Sequence, residues 1–408
     1  MTVAERPGLS AAAARAEALG IFDWWANHAP DIVNGGFYGE VDEHGTPVLE
    51  ADKGAVLNAR LLWFFSAIAQ RYDRSDALAL ARRAHDYMLS HFVDMRHGGV
   101  YWSVDYRGRV RDARKQAYAQ AFCIYALAEY HLASRDHAAL DLARWLQGKI
   151  ERIFWDEAAG GYIEALDGDW RPIGDQRLSD KDLDAPKTMN THLHVLEAYT
   201  RLHQVAPDPA TGAALRRATL VFLDRFIGPK GGKDDHLRLF FDMDWTDRSA
   251  AVSFGHDIEA SWLLQEAVEA LGDPALIARA RPHVLALARV TLAQGVLAHG
   301  GIAYERGFDG HLDPDGEWWG QAEGLVGFVN AFRMTGEAAY AEAAQNLWTR
   351  IRTAYGAAQG GEWTWYAQGA ARPPQALASL WKCPYHNGRA MLELDQRLKN
   401  IKTTGGQA

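Results

Sequence analysis

Three segments place chemically able side chains at helical spacing. Asn190 and His194 lie four apart in KTMNTHLHVLEAY, His256 and Glu259 three apart in SFGHDIEASW, and Trp319 and Glu323 four apart in EWWGQAEGLVG, so on a helix each pair shares a face. Arg60 in KGAVLNARLLW, Tyr118 in RKQAYAQAF, and Trp381 with His386 in WKCPYHNGRA complete the set. Imidazole titrates at about pH 6.5, so near neutrality one histidine accepts a proton while another, held as imidazolium by a carboxylate such as Glu259, donates one. Two histidines on opposite sides of a carbon acid would move a proton from one face to the other, with an arginine steadying the oxyanion.

Other chemistries find little support. There is no HExxH or CxxC, and SDKDLDAP lacks the glycine and closing glutamate of a calcium loop, so no metal is expected. No GxGxxG, GKS/GKT or GxSxG motif occurs, and GPKGGK reads only as a turn, so no cofactor is expected. Cys123 and Cys383 are the only cysteines, which is no disulfide framework and fits a reducing compartment. A net charge of −9 argues against nucleic acid and anionic membrane as partners and favours a small uncharged ligand. The first twenty residues lack the apolar stretch of a signal peptide, and no run long enough to span a membrane follows. The expectation is a monomeric cytoplasmic protein, and the 15 Trp, 15 Tyr and 15 Phe exclude a disordered one.

The elements that position these residues are repeated. Gly-Gly pairs at 35–36, 98–99, 160–161, 231–232, 300–301 and 360–361 recur at steps of 63, 62, 71, 69 and 60 residues. Most pairs are followed by an aromatic or β-branched residue, as in GGFYGEV or GGVYWSV, and each lies between two segments of helical period. The spacing predicts inner helices at about 53–72, 114–133, 186–205, 254–272, 318–336 and 383–399, and outer ones at 76–92, 138–154, 210–227, 274–293 and 337–355. The implied fold is all-α, an (α/α)6 barrel of twelve helices in six repeats with short β-hairpins between helices. An open α-solenoid is the competing architecture, but its repeat is usually roughly 34 to 47 residues. Residues 1–400 are expected to form one domain and 401–408 a frayed tail.

In a parallel inner ring, the helix starts and the loops before them share one mouth, and the residues named above lie there. Each has a plainer reading. A lone inward histidine is commonly a hydrogen-bonded core residue, and His192, two from His194, points elsewhere and reads as core or second layer. Trp318 and Trp319 read as packing, or one of them as a platform for a sugar face. The stretches DRSDALALARRAHD and ALRRATLVFLDR are solvated outer faces.

The segments GGFYGEVDEHG, KGAVLNARLLWFFSA, KTMNTHLHVLEAYTRL, SFGHDIEASWLLQEA, WWGQAEGLVGF and WKCPYHNGRAMLEL closely resemble the cellobiose 2-epimerases of the N-acylglucosamine 2-epimerase superfamily, in order from residue 9 to residue 399. The resemblance implies cofactor-independent interconversion of glucose and mannose at the reducing end of β-1,4-linked disaccharides such as cellobiose and lactose. It implies His256 and His386 as the acid/base pair at C2 through a cis-enediolate, and His194 as a third essential histidine. Arg60 matches the arginine on the sugar oxygens and enediolate. Asn190, Trp319 and Trp381 match sugar contacts, Glu259 the carboxylate orienting a catalytic histidine, and Asp182 and Tyr118 further substrate contacts. Reprotonation at C1 would give ketose as a side product. Gly320, Gly324 and Met391 depart from the expected pattern near the mouth and bear on substrate length. Relatives acting on free mannose or glucose share these motifs. A glycoside hydrolase would need a carboxylate pair, for which Glu259, Glu317 and Glu323 are available, yet the motifs centre on histidine. A mere binding protein would not need three inward histidines and an arginine.

Overall fold

The computed structural model describes residues 8–227, 236–356 and 361–404. Its helices are α1 (Ala11–His28), α2 (Ala55–Tyr72), α3 (Ser75–Tyr87), α4 (Ala117–Ser134), α5 (His137–Lys149), α6 (Met189–Val205), α7 (Pro209–Val221), α8 (Phe254–Leu271), α9 (Pro274–Val290), α10 (Trp318–Thr335), α11 (Ala338–Ala354) and α12 (His386–Thr404). Alternate helices differ in burial. α2 buries every residue from Ala55 to Ala69, and α4 every residue from Ala117 to Tyr130, so both are covered on all sides. α5 buries only Ala139, Leu140, Ala143, Leu146 and Gln147, one inward stripe.

Even-numbered helices therefore form an inner ring and odd-numbered ones an outer ring. Each outer helix from α3 onward packs on the inner helix before it, and α1 packs on α12. The ring closes where α12 meets α2. Arg71 donates to the Leu392 carbonyl (2.9 Å) and to Glu393 (3.0 Å), and Gly388 lies so close to Phe64 that a Cβ would come within 2.4 Å of its ring. This is the expected (α/α)6 barrel, and the closure excludes an open solenoid. Four outer helices, α3, α5, α7 and α9, continue into a π-helical turn, at Met88–Phe92, Ile150–Phe154, Phe222–Phe226 and Thr291–Gly295.

The Gly-Gly turns hold the inner helix starts in place. Gly98 and Gly99 have φ of 86° and 75°, a region that strains any side chain. The Asp94 carboxylate caps this turn by accepting from the backbone N–H of Arg96 (2.9 Å) and His97 (3.0 Å), and takes Lys115 Nζ at 2.7 Å. Asp31 with Lys53 (2.8 Å) and Asp156 with Lys187 (2.7 Å) repeat the device. Each lysine stands two residues before an inner helix, so each ion pair fixes where that helix begins. Gly231, Gly232, Gly360 and tail residues 405–408 lie outside the described residues.

Short strands stitch neighbouring repeats around the mouth: β1 (Lys53–Gly54) with β2 (Ser103–Val104) and β3 (Val110–Asp112), β4 (Lys115–Gln116) with β5 (Ala165–Leu166), β6 (Lys187–Thr188) with β7 (Phe240–Phe241), and β8 (Ala251–Ser253) with β9 (Glu305–Gly307) and β10 (Leu312–Asp313). All pairs are antiparallel, with Lys53 opposite Val104, Lys115 opposite Leu166, Lys187 opposite Phe241 and Val252 opposite Arg306. No described helix is long and apolar enough to cross a membrane.

Candidate active site

The starts of the inner helices and the loops before them enclose a cavity of about 350 Å³. The ten residues to which the resemblance gives site roles line it: Arg60, Tyr118, Asp182, Asn190, His194, His256, Glu259, Trp319, Trp381 and His386; Glu323 does not. Helix phase explains the convergence. Arg60 is in the second turn of α2, Tyr118 in the first of α4, Asn190 and His194 in the first two of α6, and His256, Trp319 and His386 in the first turns of α8, α10 and α12.

His256 and His386 flank Trp319, with ring centroids 4.7 Å and 5.7 Å from the indole. A hydrogen bond joins His256 Nδ1 to Ser253 Oγ (2.9 Å), and His386 Nδ1 donates to Glu323 Oε1 (2.7 Å). Burial, followed by the like charge of His194, pushes His256 down to about 3. Burial, with Arg60 and Arg389 next, drives His386 well below the usual imidazole range. Both shifts favour the neutral imidazole, against the expectation of a carboxylate-held imidazolium. The partner is also corrected. Glu259 Oε1 lies 3.9 Å from His386 Nδ1, and the histidine's hydrogen-bond partner is Glu323. Glu259 makes no hydrogen bond to His256 either; its Oε1 takes Arg389 at 2.7 Å and its Oε2 is buried without a partner.

His194, buried on α6, donates from Nδ1 to Glu197 Oε2 (2.9 Å) and meets Tyr118 edge to face at 5.1 Å. Arg60 donates to the Tyr118 hydroxyl (2.8 Å) and stands 3.7 Å from the Cys383 sulfur, and no carboxylate among the described residues lies within 4 Å of it. A buried guanidinium without a counter-ion costs free energy, and an anionic oxygen in the cavity would relieve it. Asn190 Oδ1, Trp318 Nε1 and Trp365 Nε1 are further buried polar atoms without partners among the cavity-lining residues. Such scattered single donors and acceptors around aromatic faces suit a polyhydroxylated ligand.

Above this floor the segment 178–182 lines one wall. Asp182 lies there as expected, but its Oδ2 accepts from Ser179 N (2.9 Å) and Ser179 Oγ (2.8 Å). Lys181 crosses to Glu317 (3.1 Å), whose other oxygen takes the Trp319 indole N–H (2.8 Å). Lys181, Tyr304 and Trp365 are cavity residues the sequence did not reveal, and Glu317 was read only as a carboxylate available to a hydrolase; loop residues carry no periodicity to reveal them. Glu197 and Arg389 also went unnoticed, although each lies three residues after a histidine, His194 and His386, and that spacing is readable.

Several other expectations are settled by contacts. His192 accepts from Tyr162 N (2.8 Å), bonds the Thr188 carbonyl (2.7 Å), and sits in the core as read. Gly324 is not at the mouth: a Cβ there would strike Ile302 at 2.2 Å, so its bareness serves packing, whereas Gly320 faces Gly255 where α8 and α10 approach. Glu259, Glu323 and His386 bring ligand-type atoms within 4.8 Å of one another, but the Arg389 guanidinium already donates to both carboxyl groups there.

The N-acylglucosamine 2-epimerase (GlcNAc 2-epimerase) family model matches residues 36–387. The chain is 43% identical over 378 residues to the cellobiose 2-epimerase of Bacteroides fragilis, covering 92% of this chain and 95% of that protein. It is 35% identical to a cellobiose 2-epimerase of Ruminococcus albus, covering 92% and 96%. The solved structure of cellobiose 2-epimerase from Bacillus thermoamylovorans superposes with a TM-score of 0.89 at 35% identity, over 95% of this chain and 99% of that one. With the family match spanning the cavity's residues from Arg60 to His386, the chain belongs to the N-acylglucosamine 2-epimerase family and is a carbohydrate epimerase.

Proposed function

We propose that the enzyme interconverts glucose and mannose at the reducing end of β-1,4-linked disaccharides such as cellobiose and lactose, without a cofactor, by proton transfer at C2. The observation that carries this reading is the pair of imidazoles beside Trp319, in one cavity with the Arg60 guanidinium that no carboxylate among the described residues meets. With His386 Nδ1 donating to Glu323 its Nε2 is left bare as a base, and in the tautomer whose Nδ1 donates to Ser253 Oγ the Nε2 of His256 is bare too. One imidazole removes the C2 proton and becomes imidazolium, and the cis-enediolate places its negative oxygen against Arg60. That charge draws a solvent proton onto the facing imidazole, which delivers it to the other face of C2 while the first returns its own to solvent. His194, held by Glu197, serves ring opening or substrate orientation.

The disaccharide preference rests on what lines the cavity besides the imidazoles. Lys181, Tyr304, Glu317 and Trp365 line it too, and Trp381 stands by Tyr118 with rings 6.0 Å apart, a second aromatic wall for another sugar ring. The test is incubation with cellobiose and, separately, with mannose. Formation of glucosyl-mannose supports the reading. Turnover of mannose but not cellobiose would assign the enzyme to free monosaccharides, and release of glucose from cellobiose would overturn an epimerase acting on the intact disaccharide.

A further inference from the structure

Beneath the cavity floor, four inner helices send ionisable groups to one point. Arg389, one turn below His386 on α12, donates to Glu197 on α6, to Glu259 on α8 (2.7 Å) and to Glu323 on α10 (2.7 Å). Three buried carboxyl groups share one guanidinium, and their other donors are unequal. Glu197 also accepts from the Tyr385 hydroxyl and from His194 Nδ1. Glu323 also accepts from His386 Nδ1 and from the Trp262 indole N–H (3.0 Å). Among the described residues Glu259 accepts from Arg389 alone, and its Oε2 has no partner. A buried carboxylate needs donors to replace its lost hydration. The two groups with three donors each therefore carry the charge, and the one with a single donor keeps a proton.

We propose that Glu259 is a neutral carboxylic acid in the resting enzyme, donating its Oε2–H to an oxygen of the bound sugar, and that Arg389 is the positioning residue that keeps the proton there by binding Glu197 and Glu323 as anions. The first half rests on the sugar reading above; the second concerns the empty protein alone. The groups facing Glu259 are Glu197 and His194 from α6, Glu323 from α10, Arg389 with His386 and Tyr385 around α12, and Tyr118 from α4. Burial, then Glu323, lifts Glu259 to about 7, whereas Glu197, against its own burial, is brought down to about 2 by Arg389 and His194. Burial raises Glu323 as well, with Arg389 opposing. The cavity-lining acid is thus a donor below about pH 7 and an acceptor above it. Since Glu259 already holds the proton before a sugar binds, a sugar hydroxyl meets an O–H there rather than a second lone pair.

Infrared difference spectroscopy of the ligand-free enzyme across an alkaline titration tests this without turnover. Subtracting the Glu259→Gln spectrum isolates its band from other buried carboxyls such as Glu164 and Glu266, which burial also raises. A protonated-carboxyl band lost with a midpoint near 7 is expected; its absence in wild type would overturn the proposal. Glu197→Gln, which keeps shape, frees Arg389 for Glu259 and should lower the Glu259 proton affinity at least tenfold. An unchanged midpoint would remove the role given to Arg389. With substrate, KM of the wild type should rise about tenfold per pH unit above this midpoint and stay flat in Glu259→Gln. A rise that persists in the glutamine variant would show that the acid does not donate to sugar, whatever the infrared result.

Discussion

The two ends of the barrel are both lined with ionisable side chains, and they use them oppositely. At the C-terminal ends of the inner helices, around a cavity of about 180 Å³, Arg71 pairs with Glu393 (3.0 Å), Arg201 with Glu129 (2.7 Å) and nearby Arg397 with Glu393 (3.2 Å) and Glu266. Each guanidinium there has its carboxylate. At the N-terminal mouth, among the described residues, Arg60 has none, burial shifts His256 and His386 toward the neutral imidazole, and single polar atoms of Asn190, Glu259, Trp318 and Trp365 lack partners. At the C-terminal end each of these guanidiniums meets a carboxylate, even though Trp63 Nε1 and Glu129 Oε1 lack partners there, whereas a site that leaves a cation, two bases and aromatic faces open is built for a ligand that supplies the missing oxygens.

The largest break in this contrast comes at the imidazoles. His386→Ala and His256→Ala should each lower kcat by about 10³- to 10⁴-fold, at the upper end of what positioned acid/base groups supply, with the circular dichroism spectrum kept. Arg60→Met removes one oxyanion donor and should cost about 10²- to 10³-fold in kcat, measured with the same substrate. The acid side of the pH profile sharpens the same point. With His256 pushed to about 3 and His386 also lowered, both bases stay unprotonated as pH falls. The profile of kcat/KM should therefore lack a histidine inflection near 6.5 and hold within about twofold down to about pH 5, where an unshifted histidine would cost about 30-fold. The smallest effect on turnover belongs to the opposite end. Arg201→Met strands the buried Glu129, costing about 1 to 3 kcal/mol in chemical denaturation, with kcat changed by less than about twofold.

Much of this was legible in the sequence because the repeat sets the phase. Gly-Gly turns must fall where φ is positive, as at Gly98 and Gly99, and the distance from turn to inner helix is short. The inner starts at 55, 117, 189, 254, 318 and 386 therefore lie within a few residues of the expected 53, 114, 186, 254, 318 and 383. Fixing the starts fixed which residues share the mouth. Partner choice across helices was not legible: His256 and Glu259 share a face of α8, yet Glu323 reaches His386 because α10 stands beside α12, a relation no local spacing encodes. The charge state was equally hidden. A histidine beside a carboxylate reads as imidazolium until the burial and the cations Arg60 and Arg389 around it are known.

The central claim is that the N-terminal mouth moves a proton at C2, and hydrogen exchange tests it most directly. Purified enzyme is incubated with cellobiose in deuterated buffer and followed by NMR. The account expects glucosyl-mannose carrying deuterium at C2. Epimer formed with protium fully retained at C2, or no exchange at all with cellobiose or mannose, would contradict it.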